Sequence, residues 1–90
     1  MKFEWDTDKA RSNLMKHGVS FEEATTVFDD PLYVDFFDPD HSDDEERYIM
    51  VGQSQQGRLI VVSYTERSSG VRLISARVAT RSEKDAYEEG

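Results

Sequence analysis

Apolar and polar positions alternate along the chain with two different periods, and these divide it into eight short segments. Residues 2–5, "KFEW", alternate polar and apolar, as a short edge strand does. Asp6 is placed to cap a helix over residues 7–16. Asp8 lies in its first turn, Lys16 and His17 lie at its last, and Gly18 follows as a left-handed stop. Ser20 and Glu23 then form an S-x-x-E capping box, with Val19 stapling against Ala24. Phe21, Ala24, Val27 and Phe28 fall on one side of this second helix, and Pro31 ends it. The aromatic and β-branched run "LYVDFF" at 32–37 predicts a strand, and three more are expected at about 47–53, 58–66 and 71–78. "QQG" and "RSSG" are hairpin loops too short for a parallel crossover, so the strands they join are antiparallel. Thr80 and Glu83 form a second capping box that opens a closing helix. The order is β-α-α-β-β-β-β-α, which predicts an α+β fold with an antiparallel meander sheet packed against helices.

Composition narrows this picture. Ninety residues without repeats or a linker make one domain, residues 1–90, with a single modest core. Cysteine is absent, which rules out disulfides and thiolate metal sites and suits a reducing cytoplasm. No apolar run approaches a signal sequence or a membrane span, so a soluble cytoplasmic protein with no membrane partner is expected. The net charge of −8 argues against general nucleic-acid binding, but the charge is unevenly distributed. Residues 20–46 hold eleven acids and no Lys or Arg. Residues 47–84 hold seven basic side chains, six of them arginine, against two acids. Arginine is the residue suited to bidentate phosphate recognition, so a local cationic surface is expected despite the overall charge.

Arg67, Arg72 and Arg77 sit at or near strand ends, and Arg81 lies in the last helix. The plain reading is that they are solvated or paired with Glu66 or Glu83. Arg77 shares strand parity with Leu73 and Ser75, which predicts a stem lying against the sheet. The acidic loop "DPDHSDDEE" invites a calcium reading. Asp43 stands where the EF-hand loop needs glycine and Ile49 where it needs glutamate, so a solvated loop is expected instead. Two histidines, His17 and His41, lack the local spacing of a zinc site. No metal or cofactor site is predicted, and neither a glycine-rich phosphate loop nor a Ser/His/Asp signature occurs.

A series of spaced motifs runs through nearly the whole chain: "FEWD", "N..KHGVSFEEA..VF.DP", "ER" with a glycine a few residues on, "V.YTER" and "R.ISAR.AT..E...YE". Together they resemble the BrnT family, toxins of bacterial type II toxin–antitoxin pairs with a fold similar to RelE-type ribonucleases. The resemblance implies metal-independent RNA cleavage and inhibition by a BrnA-like ribbon-helix-helix antitoxin, with DNA contacted only through that partner. Such cleavage uses the ribose 2′-hydroxyl as nucleophile and needs a base, an acid and cations around the developing phosphorane. His17 suits either proton role, beside Lys16. Arg67 and Arg77 are the expected phosphate clamps, followed by Arg47 and Arg81, and Glu46 is an alternative base. Tyr64 and Trp5 are candidates to stack on an unpaired base. Each also has a structural role to weigh: Lys16 and His17 complement a helix dipole, and Trp5 and Tyr64 suit the core. The eleven-acid middle favours a second functional class, a non-catalytic module acting only through its antitoxin.

Overall fold

The computed structural model describes residues 1–89. In chain order the elements are β1 (Phe3–Glu4), α1 (Thr7–His17), α2 (Phe21–Val27), β2 (Val34–Phe37), β3 (Arg47–Gln53), β4 (Leu59–Arg67), β5 (Gly70–Val78) and α3 (Arg81–Glu89). A single 3-10 turn, Pro39–His41, opens the acidic loop between β2 and β3. The strands form one sheet in the order β1-β5-β4-β3-β2. From β2 to β5 it is the expected antiparallel meander. The first strand adds a feature that short-loop reasoning does not reach: β1 pairs in parallel with β5, Phe3 opposite Val71. The whole α1–β4 stretch serves as its crossover. The pairing depends on Gly70, because a Cβ there would lie 2.4 Å from the Lys2 carbonyl oxygen that accepts the Val71 N–H.

Local signals account for the helix ends. The Asp6 side chain accepts from the Lys9 N–H, and Gly18, at φ 69°, closes α1 with its own N–H on the Leu14 carbonyl. Ser20 caps α2 through the Glu23 N–H at 3.0 Å. The reciprocal half of that box is not made. Instead, Glu23, 5% exposed, accepts from Ser54 Oγ at 2.8 Å and from Arg58 through both carboxylate oxygens, and Arg58 also donates to the Gly18 carbonyl. The Thr80–Glu83 box is complete, with Thr80 N–H on the Glu83 carboxylate and Glu83 N–H on Thr80 Oγ1. The strand expected from residue 32 begins at Val34, because Asp30 first draws the chain into a turn by accepting from the Leu32 N–H.

The sheet has one face for each helical layer. On the first, Val19, Phe21, Ala24 and Val27 bury against Met50, Ile60, Val62, Tyr64, Leu73 and Ala76. Each large side chain so enclosed stabilises the fold by roughly 1.5–3 kcal/mol. Phe3, Phe28, Tyr64 and Tyr48 continue this layer as a row of ring contacts. On the second face, Val51, Val61 and Ala79 pack with Leu59 and Tyr87 of α3. Because α3 is only nine residues long, it covers one half of this face. The other half, around Arg47, Ile49, Ser63, Ser75 and Arg77, remains an open groove.

A β-bulge decides which side chains reach that groove. Tyr64 lies opposite Leu73 but Ser63 lies opposite Ser75, so Ile74 is an extra residue in β5. Leu73 and Ala76 therefore both face the α1–α2 core, while Ile74, Ser75 and Arg77 open on the other side. This corrects the parity expected from simple alternation, in which Leu73 and Arg77 share a face.

Candidate functional site

The groove on the uncovered half-face is a cavity of about 320 Å³ lined by Asp38, His41, Arg47, Ile49, Ser63, Ile74, Ser75 and Arg77. A second basin of about 220 Å³ lies at the sheet edge, between α1 and β5, with Lys9, Ser12, Asn13, Lys16 and His17 on one wall and Ile74 and Ser75 on the other. The two basins meet at the bulge. The convergence expected between His17 and Arg77 thus takes the form of neighbouring basins with a common wall, rather than one shared pocket.

Arg77 is half-buried and holds Glu83 in a bidentate fork, with both nitrogen–oxygen distances 2.8 Å. The pairing with Glu83 foreseen as the plain reading is therefore present. The guanidinium, its side chain 42% exposed, still borders the groove. The fork holds the Glu83 carboxyl down at about 2, against its burial and with help from Thr80, and raises Arg77 in turn. Arg47 projects from the start of β3 on the same face, and its buried Nε has no hydrogen-bond partner among the described residues. Two guanidiniums, two serine hydroxyls and an imidazole thus line one concave surface.

The remaining predicted residues lie elsewhere. Arg67 pairs with Glu45 at 3.1 Å at the C-terminal end of β4, outside the groove lining, and Arg81 is exposed in the first turn of α3. Glu46 accepts from the Tyr48 hydroxyl at 3.0 Å, and since Tyr48 packs on the core face, that carboxylate is drawn away from the groove. Tyr64 is 3% exposed and donates to Asp35 at 2.5 Å. Burial first, and that carboxylate second, push its hydroxyl far up, so it is a core residue with no ring face left for a base. Trp5 packs edge-on against Phe21 beside α1, on the opposite side of the sheet from the groove.

Two groove residues escaped the sequence reading. His41 Nδ1 lies 2.8 Å from Asp38 Oδ2, with the imidazole 66% exposed and the carboxylate only 14%. The signal was present in "DPDH". An aspartate precedes a proline-started turn and a histidine follows three residues on, a spacing that brings the two side chains together. Among the described residues, no three His, Asp or Glu side chains are arranged to hold a metal ion. No described helix is long and apolar enough to cross a membrane.

The α+β sheet carries a cationic groove on its half-covered face, and comparison with known proteins supplies the family. The family model for the BrnT ribonuclease toxin of type II toxin–antitoxin systems matches residues 5–83. The chain belongs to this BrnT toxin family. Among solved structures it is similar to the Brucella abortus ribonuclease toxin BrnT, with a TM-score of 0.65 and 24% identity over 90% of this chain and 99% of that one, a likeness of fold. Comparison with curated proteins returns no match.

Proposed function

We propose that this chain is a cytoplasmic endoribonuclease toxin that cuts RNA without a metal ion and is neutralised by a ribbon-helix-helix antitoxin of the BrnA kind, through which alone it contacts DNA. In the proposed reaction a ribose 2′-oxygen attacks the adjacent phosphorus and displaces the 5′-oxygen, leaving a 2′,3′-cyclic phosphate. The observation that carries this reading is the groove in which Arg47 and Arg77 border one concave surface of a BrnT-family fold. A guanidinium fork matches two phosphate oxygens and opposes the charge that builds on them in the transition state. Glu83 presents to Arg77 the two-oxygen geometry that a phosphate would present, so substrate exchanges one anion for another. His17 and Lys16, in the adjoining basin, lie where the RNA strand continues, and Arg81 and Arg67 serve as outlying cations for its backbone.

The acidic loop beside the groove favours a second reading, a toxin-like module that binds its antitoxin but cuts nothing. One experiment separates the two. The purified chain, with chelator present, is incubated with single-stranded RNA and the products are resolved. Cleavage to cyclic-phosphate ends that Arg77→Ala lowers by about 10²-fold, as loss of one transition-state donor does, supports the enzyme. Intact RNA with wild-type protein, alongside retained antitoxin binding, supports the module.

A further inference from the structure

We infer that His41 is the group that takes the proton from the 2′-hydroxyl, and that Asp38 positions it; this rests on reading the groove as the RNA-cutting site. A carboxylate has no hydrogen to give, so the short contact to Asp38 Oδ2 is made by a proton on Nδ1. That leaves the lone pair of a neutral imidazole on Nε2, the nitrogen turned away from Asp38. The exposed ring borders the same cavity as Arg47, Arg77, Ser63 and Ser75. A histidine oriented by a half-buried carboxylate, with a free second nitrogen beside cations, is the arrangement that general-base catalysis needs.

The turn that carries the pair is tied to the sheet. Asp38 N–H donates to the Arg47 carbonyl at 2.9 Å, Ser42 Oγ donates to the Asp38 carbonyl at 2.5 Å, and Arg47 N–H donates to Ser42 Oγ at 3.0 Å. These three bonds fix the start of the acidic loop to the first residue of β3, so the imidazole and the Arg47 guanidinium are positioned by the same few atoms. His17 has no such support. It ends α1 in the neighbouring basin, and no carboxylate pairs with it among the described residues.

In the step itself, Nε2 accepts the 2′-hydroxyl proton as the O2′–P bond forms. The P–O5′ bond breaks with its electron pair on the 5′-oxygen, which takes a proton from water. The imidazolium then releases its proton to solvent. No electrons are transferred and no co-reactant is required.

The test uses the purified full chain on a short single-stranded RNA with chelator present. It compares wild type, His41→Ala, Asp38→Asn, His17→Ala and the His41→Ala/Asp38→Asn pair, each with its melting curve. His41→Ala is expected to lower kcat by about 10²–10³-fold, within the range for a lost general base, with KM nearly unchanged. Free imidazole in the buffer should restore part of that rate to His41→Ala, and less to the double variant, which lacks the orienting carboxylate. Asp38→Asn should lower kcat by less than His41→Ala and leave KM alone. Full activity in His41→Ala overturns the assignment, as does a loss confined to KM, a loss that imidazole does not restore, or imidazole rescue of His17→Ala instead. Wild-type protein that leaves RNA intact overturns both this assignment and the enzymatic reading beneath it. Wild-type cleavage that His41→Ala leaves undiminished overturns only the first.

Discussion

Asn13 shows how much one side chain can settle. It is buried, donates through its amide nitrogen to the carbonyls of Val19 at 2.9 Å and Ala76 at 2.8 Å, and accepts from the Ala76 N–H at 3.1 Å. Strand β1 pairs with β5 only at Val71 and Arg72, so beyond them the outer edge of β5 has no strand partner. The Asn13 amide supplies both the donor and the acceptor that a neighbouring peptide would give at Ala76. Asn13→Ala leaves three backbone groups unsatisfied and is expected to lower the unfolding free energy by about 2–3 kcal/mol. A urea titration should show the midpoint falling with the slope unchanged. In the sequence, Asn13 is one polar residue in a polar helix, and nothing in its spacing marks it as the edge cap of a strand 63 residues away.

At the scale of elements, local chemistry was legible and long-range pairing was not. Asp6, Gly18, Ser20 and Thr80 mark helix ends because caps act over three or four residues, and those ends lie where they were expected. The boundaries of β3 follow from composition alone. The S-x-x-E spacing predicts Glu23 as half of a capping box, yet Arg58, 35 residues on, outcompetes the local backbone for its carboxylate. The parallel placement of β1 and the extra residue in β5 likewise depend on tertiary contacts that no window of sequence contains. The site was legible to the same degree. Arg47 and Arg77, picked out by residue type, border the candidate groove, whereas burial withdraws Tyr64, and the pairing of His41 with Asp38 depends on how the turn folds.

Helix α3 shows how such contacts make an element sensitive to pH. It is held by the Arg77–Glu83 fork and by Tyr87, which donates to Asp30 at 2.6 Å and is thereby pushed up to about 12. The Glu83 carboxyl titrates near 2 in the folded chain against an ordinary 4.5. A lowered folded-state value means that its stabilisation is fully present above pH 4.5 and is lost as the pH falls toward 2. Amide exchange of α3 should therefore accelerate across that window, and Glu83→Gln should flatten the contribution. Protection that is unchanged by the substitution would show that the fork does not hold the helix. Glu23 is held below its usual range by Arg58 in the same sense and adds to the acid sensitivity of the core face.

Over the whole molecule, a net charge of −8 and the groove proposed to cut RNA are reconciled by segregation. Asp40, Asp43 and Asp44 line a separate cavity that shares only His41 and Arg47 with the groove. An approaching polyanion meets their repulsion before it reaches the arginines. Changing the three together (Asp40→Asn, Asp43→Asn and Asp44→Asn) is expected to lower KM for RNA several-fold at low salt and to leave kcat unaltered. The gap should close as ionic strength shortens the Debye length below about 8 Å. A KM equal to that of wild type at every salt concentration would remove the loop from any role in substrate approach.

The surplus residue in β5 also bears on how tolerant this fold is of deletion. Removing Ile74 alone would leave the chain's charge untouched and would bring the strand into plain alternation, with Leu73, Ser75 and Ala76 meeting Tyr64, Ser63 and Val62 in turn. Ala76 would still turn inward and the guanidinium of Arg77 outward, so the loss is the local kink and the Ile74 side chain on the wall that the two basins share. A single-codon deletion there should thus be borne better than loss of Ala76, which would move the Arg77 guanidinium opposite Val62 and into the oily layer beneath α1 and α2.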